Sequence, residues 1–551
     1  MALKPSEIAS AGHPSMTPQS KPLPGREKEM VDNSSGGYSF KQSDKDILYR
    51  WMIIGSENGT YYTQDKIEVT KIGTAALKLV DKKKIVEMAK DVIENGKANK
   101  LEYAIYSLAY VAYHGDINEK QLVYSIAPQI LGNMPKMTMF LACYQAIKKI
   151  ETGKSTIGGS GICRVISKWY MTMPTGLMAY QVAKYPQRNG FSHADLLRIS
   201  HIGRLESNKA KYTLPDDKVA IVEYIKWYTN GGEEKPRIFE STNKDHKPIV
   251  GKHKIEQAST LDEALKIMKE YNLTHEMVPT KFQGSKEFYD VMMTQSPVHA
   301  TVWRLGAATA KDCITPMGDT TKAIVQRITN KDEIEKQMIH PMKFYNALTT
   351  YKNGRGEKGS LSWAPNQMIL EALEDGFYHA IGTVPDSARN VLIAVDHSGS
   401  MQGPPLDFAC AIASVLLRSQ RSVQLVGYAM RISNPQVHRK MSMLGITYAI
   451  KKVSIGEGTD STQPILYAMN KCPDADAIIC ITDGFTWAGS THVSQALKKW
   501  RVKKPHGRYV EMITSMGGSQ NIDPLDMNSL VTFGQDAEAA ILAINFITNG
   551  L

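Results

Sequence analysis

The chain has 551 residues, with 66 Lys+Arg against 55 Asp+Glu, a net charge of +11 and a pI near 9.0. Its 42% hydrophobic and 22% charged residues describe a soluble globular protein of several domain-sized units, not a disordered chain. No apolar run reaches the roughly 18 residues of a membrane span, the N-terminus lacks a signal-type apolar core, and six cysteines with no CxxC pair exclude a disulfide framework or zinc ribbon and point to a reducing, cytoplasmic setting.

Residues 1–37 are rich in Pro, Ser, Lys and Gly and are expected to form a flexible tail. Residues 38–386 then show helical apolar spacing in successive segments, including 74–93, 100–112, 119–131, 137–150, 162–183, 218–228, 261–271, 286–293 and 342–351. Short turns of Gly, Pro, Asn and Asp separate them, which predicts a helical-repeat domain with degenerate repeats. Residues 208–259 are charged and less regular, and read as an insertion or extended loop. The basic surplus is concentrated before residue 391, at +9, with +2 in residues 391–551, a pointer to an anionic partner for the helical part.

Within that part, a basic and aromatic turn leads into a helix. Lys184, Arg188, Arg198 and His201 cluster there with Tyr185 and Phe191, and Ser192 with Asp195 forms a variant capping box. Cations supply phosphate contacts, and aromatic rings stack on unpaired bases. Trp169, on a helix with Arg164 and Lys168, is expected in the core. Gly158-Gly159-Ser160-Gly161 lacks the following GK[ST] of a phosphate loop.

From residue 387 strands alternate with helices: 389–395, 422–428, 475–481 and 508–514 as strands, and 408–418, 462–470, 492–501 and 536–547 as helices. This is an α/β domain with a mainly parallel sheet. Its first strand ends in Asp396-His397-Ser398-Gly399-Ser400, a later loop reads Gly456-Glu457-Gly458-Thr459-Asp460, and another strand ends in Thr482-Asp483-Gly484. Carboxylates and hydroxyls at strand ends suit a hard cation; with no His or Cys required, zinc is disfavoured.

The order DxSxS, GxTD, TDG resembles the von Willebrand factor A domain with its metal-ion-dependent adhesion site. That resemblance makes Asp396, Ser398, Ser400, Thr459 and Asp483 ligands of a divalent cation, Mg2+ first, with Mn2+ or Ca2+ as alternatives. The Gly55–Tyr62 block, the turn from Lys184 to His201, and His340-Pro341 with Ala347, Leu348, Thr350, Tyr351, Lys352 and Gly354 resemble the TROVE module of the sixty-kilodalton Ro ribonucleoprotein family, over residues 38–551. The resemblance implies a HEAT-like helical ring closed by the A domain, in a monomer without catalytic activity. It implies small structured Y RNAs bound on a basic outer surface through Lys184, Arg188 and His201. Single-stranded 3′ ends of misfolded non-coding RNAs would enter a central hole, in small-RNA quality control in the cytoplasm, and also the nucleus in a eukaryote. The alternative is a protein-interaction scaffold acting through the A-domain cation. Pro186 inside the basic turn, Glu457 where relatives tend to carry Gly, the first 37 residues and residues 208–259 depart from the family pattern.

Overall fold

The computed structural model describes residues 16–33, 35–54, 66–98, 100–202, 214–231, 234–356, 360–382, 384–453, 458–514, 520–533 and 537–549. The Gly55–Tyr62 block, His13 and Glu457 lie outside the described residues. Ten strands occur among the described residues: β1 (Met30–Asp32), β2 (Tyr38–Phe40), β3 (Gln187–Arg188), β4 (Phe191–Ser192), β5 (Asn390–Asp396), β6 (Ser422–Tyr428), β7 (Ile432–Ser433), β8 (Ala477–Thr482), β9 (Arg508–Ile513) and β10 (Ser529–Phe533). The rest is mostly helical. The chain divides into two compact units, Met1–Lys78 with Lys97–Asn99 and Ile381–Leu551, and Leu79–Gly96 with Lys100–Ala380. No helix of the described residues is long and apolar enough to cross a membrane.

In the helical unit each helix packs on near neighbours in the chain. Lys82–Glu94 lies on Glu102–His114, Glu102–His114 on Met134–Thr152, Ile117–Ile130 on Ser160–Thr172, and Lys247–Gln257 on Leu261–Tyr271. Local signals set the ends. The expected helix over 74–93 is two helices, because Asp81 accepts a hydrogen bond from the Lys84 amide and starts Lys82–Glu94. Asp116 and Glu119 form a reciprocal capping box at the start of Ile117–Ile130. The segment 162–183 likewise breaks at Pro174, between Ser160–Thr172 and Thr175–Lys184. Residues 208–259 are not an extended loop: their described part includes Asp216–Asn230 and Lys247–Gln257, whose faces bury Ile221, Val222, Ile225, Ile249 and Ile255. The short charged stretches between them obscured that periodicity.

The other unit is built on a six-stranded sheet of order β10-β9-β8-β5-β6-β7, parallel except for the β6–β7 pair. Its central strands are buried along nearly their whole length, which is why they read as unbroken apolar runs. Leu392, Ala394, Val426, Ile478 and Cys480 pack with Leu497, Trp500 and Tyr509 in one core. β7, β10, the helix Met443–Lys452 and the helix Asp44–Ile54 fall outside the segments that the sequence pattern predicts.

The first 37 residues are not a free tail where they are described. β1 and β2 pair antiparallel, with Met30 opposite Phe40, and Leu23, Met30 and Phe40 form a small buried cluster. Arg26 stacks over the Phe40 ring at 5.1 Å and grips Asp523 with two hydrogen bonds of 2.7 and 3.0 Å. Three apolar side chains spread over 18 positions leave no periodic signal, yet suffice to seat the segment on the A-domain surface. The unit boundary moves accordingly, from residue 37 to Lys78 at the N-terminal end and from 386 to Ala380 at the other.

Candidate functional site

Parallel topology brings the ends of β5 and β8 together, since Val395 pairs with Ile481. Asp396 and Asp483 follow those positions, and both are fully buried. The Ser398 amide donates to Asp396 Oδ1 at 2.9 Å, and the Thr482 hydroxyl donates to Asp396 Oδ2 at 2.6 Å. Ser398 and Ser400 hydroxyls lie 3.3 Å apart. Asp483 accepts the Phe485 amide at 3.0 Å and takes the Ser400 hydroxyl. Thr459 is buried and anchored to the β8 loop: its carbonyl accepts from the Trp487 and Ala488 amides and the Thr486 hydroxyl at 3.2, 3.0 and 3.2 Å.

Both carboxyls are pushed above the ordinary aspartate range, by burial first, and for Asp483 next by the charge of Asp396. Two buried carboxylates side by side repel, and a cation between them removes that penalty. Glu511 of β9 is a third buried carboxyl, pushed up to about 7 by burial and held by Asn521 at 2.7 and 3.2 Å. Its charge partner is Arg50, itself 1% exposed and lowered to about 10 by burial. No group of three His, Cys, Asp or Glu that could hold a metal occurs among the described residues. An ion here would therefore depend on Ser and Thr oxygens beside the two aspartates, and that donor set fits a hard divalent cation.

In the helical unit the basic turn is a two-residue hairpin. Asn189 and Gly190 take φ of 48° and 82°, the pair of positive values a type I′ turn requires, and β3 and β4 pair across it with Arg188 opposite Phe191. The Asn189 side chain ties the hairpin to Pro135 and Thr138 at 3.1 Å each. Ser192 and Asp195 form the expected capping box on His193–Ser200. That helix ends at His201 in the left-handed conformation, φ 57°.

Arg188, Arg198 and His201 are exposed; Arg198 reaches Asp195 at 2.5 Å. Lys184 is not with them. It is 4% exposed, its ammonium donates to the Tyr180 hydroxyl at 3.0 Å, and Glu276 lies 3.9 Å away. The Tyr185 ring links the two classes: Lys184 Nζ and Arg188 Cζ sit 5.1 and 5.0 Å from its centroid. Trp169 is 1% exposed in the core, as its residue type predicts.

A second cationic group carries no local sequence motif. Lys136, Lys184, His275, His299, Arg304 and Lys343 come from five separate segments and are linked pairwise by electrostatic contacts, Lys184, His275, His299 and Arg304 with Glu276 and Lys343 with Lys136 and His299. Arg304 contacts the His275 ring at 3.1 Å. Burial lowers the Lys136, Lys343, His275 and His299 pKa values, reinforced by neighbouring cations: Lys343 for Lys136, Arg304 for His275, and Lys184 and Lys343 for His299. Burial pushes Glu276 up, but Lys184, a backbone hydrogen bond, Arg304 and His275 bring it below the ordinary range. Lys184 and Arg304 act on Glu276, and Lys343 acts on Lys136 and His299, so the lysines and Arg304 supply the positive charge while the two lowered imidazoles stay neutral near pH 7.

Residues 390–547 match the family described as the Ro60 vWA domain. The chain is 26% identical to the RNA-binding protein RO60 of Caenorhabditis elegans, over 94% of this chain and 90% of that protein. It is 26% identical to the RNA-binding protein RO60 of Deinococcus radiodurans, over 97% of each. The crystal structure of the Deinococcus radiodurans RO (RSR) protein superposes with a TM-score of 0.64 at 25% identity, over 92% of this chain and 99% of that one. Residues 390–547 thus resemble a Ro60-type A domain, and the chain as a whole is similar to RO60 proteins over nearly their full length.

Proposed function

We propose that this protein binds RNA without altering it, taking structured small RNAs of the Y type at the β3–β4 hairpin and single-stranded 3′ ends of misfolded non-coding RNA at the Lys136–Lys343 cationic group. The observation that supports this reading best is the exposed set Arg188, Arg198 and His201, presented on a rigid hairpin and helix cap beside Tyr185. Guanidinium and imidazole groups there meet phosphates, while the Asn-Gly turn fixes their spacing at little entropic cost. The full-length similarity to two proteins named as RNA-binding supports the same class. The partly buried cations suit a strand without its complement, because an unpaired backbone bends to bring its phosphates to groups drawn from several segments.

At the A domain, Asp396, Ser398, Ser400, Thr459 and Asp483 would hold a divalent cation, which when bound offers a coordination position to an acidic side chain of a protein partner. The protein's own contribution is to keep the two aspartates dry and oriented by the Ser398 amide, the Thr482 hydroxyl and the Phe485 amide. No described residue in either region is placed as a general base beside a leaving-group acid, and we assign no catalytic step. Function in quality control follows if the protein separates RNAs with a free tail from those without.

The test is a gel-shift series with one hairpin RNA, blunt or carrying a 3′ single-stranded tail, across 50–200 mM salt. Tailed RNA is expected to bind more tightly, with affinity falling steeply with salt. Equal affinity for the two would remove the single-strand assignment.

A further inference from the structure

We infer that the N-terminal segment, through Asn33 and Gly37, is a positioning element of the A-domain cation site; the inference rests on the cation reading above. The loop after β8 supplies Asp483 and, through Thr486, Trp487 and Ala488, holds the carbonyl of Thr459. Two of the five proposed ligands thus depend on one loop. That loop leans on the N-terminal segment at several points.

The Asn33 side-chain amide donates to the Thr486 carbonyl at 2.5 Å. Its own oxygen accepts the Gly37 amide at 2.9 Å, and the Asn33 amide donates to the Gly37 carbonyl at 2.8 Å. The resulting tight turn brings Gly37 so close that an added Cβ would fall 2.0 Å from the Thr486 carbonyl oxygen and 2.8 Å from Trp487 Cα. Only glycine permits that approach. At the far end of the loop the Gln19 amide donates to the Gly489 carbonyl at 3.2 Å. At the near end Ser39 donates to Asn521 at 3.2 Å, and Asn521 donates to the Gly484 carbonyl at 3.2 Å, one residue from Asp483. Gly484, Thr486 and Gly489 are each tied to the segment, directly or through Asn521. The segment has its own reason to stay in place, the Leu23–Met30–Phe40 cluster and the Arg26–Asp523 pair. Loss of either anchor to the loop frees backbone groups that then need water, and the carboxylate and Thr459 lose their fixed spacing.

Isothermal titration of the full chain with Mn2+ or Mg2+ tests this, together with hydrogen exchange of residues 484–489 in the metal-free protein. Asn33→Ala and Gly37→Ala are expected to weaken cation binding at least about tenfold and to speed exchange in that loop. Arg26→Ala, which acts on the segment away from the loop, serves as the comparison and is expected to change affinity less. If Gly37→Ala does not fold, Asn33→Ala, which only removes atoms, carries the test. Folded variants with wild-type affinity would overturn the inference. A wild-type protein that takes up none of Mg2+, Mn2+ or Ca2+ would overturn the cation reading and this inference with it, and that failure is recognised without any variant.

Discussion

Lys184 and Arg188 are four residues apart, share one tyrosine ring, and are expected to respond to substitution in opposite ways. Lys184→Met keeps the stem and removes the ammonium. The hydrogen bond to Tyr180 that disappears has a charged donor, worth about 1.5–3 kcal/mol, and the 3.9 Å pair with the partly exposed Glu276 adds less than about 1 kcal/mol. Recovered desolvation of a 4% exposed ammonium offsets part of this. The net expectation is a loss of about 1–3 kcal/mol in stability, with the salt dependence of binding to a blunt structured RNA, which has no single-stranded end, unchanged. Arg188→Ala removes an exposed cation; stability should move by less than about 1 kcal/mol, the scale of an exposed cation–π contact. Its slope of log affinity against log salt should fall by about 0.7–0.9, because one RNA phosphate is no longer neutralised by the protein. Denaturant melts and anisotropy titrations at several salt concentrations read the two effects separately. A Lys184→Met protein with an unaltered melt and a slope reduced like that of Arg188→Ala would refute the division between them.

Other expectations follow from the same geometry. His193 and His340 are fully buried, and burial lowers their pKa values to about 4 and about 3. Between those values and 6.5 the unfolded chain binds protons that the folded chain does not. Stability should therefore fall as pH drops through that window, and His340→Gln should flatten the loss in urea melts run from pH 7.5 to 4.5. A divalent cation at 100 times its Kd should stabilise the protein by about 2.7 kcal/mol, and Asp396→Asn should abolish that gain in a thermal melt while leaving RNA affinity intact. Gly306→Val should destabilise the helical unit by about 1–3 kcal/mol or more, because a Cβ there meets the Trp363 ring at 2.5 Å; a melt within about 0.5 kcal/mol of wild type would show that the ring moves aside.

The convergence of Asp396 and Asp483 was legible because both residues lie at strand ends. Asp396 and Asp483 follow unbroken apolar runs, and parallel pairing leaves such residues on one edge of the sheet. The capping box at Ser192 was legible for the same reason, since both of its residues lie within one turn. Lys184 was misplaced because its burial depends on Glu276 and Tyr180, which no spacing rule connects to it. The Lys136–Lys343 group was invisible for a stronger form of that reason: its members come from five segments of the helical unit. Composition, which weighs Pro, Gly and Lys, makes residues 1–37 look like a tail, whereas the order of their described part comes from a few long-range contacts such as Arg26 with Asp523.

The discontinuous make-up of the first compact unit also governs how the chain can be made. Asn33 is separated from its partner Thr486 by 453 residues, and Thr17 from Gln495 by 478. At about 5–20 residues per second, a ribosome needs roughly 20–90 s to make the intervening chain. Over that interval the helical unit can complete its short-range contacts, while the residues that will form β1 and β2 have no sheet to dock on. Leu23, Met30 and Phe40 are then open to any chaperone, and closure of the A domain becomes the last event of synthesis rather than the first.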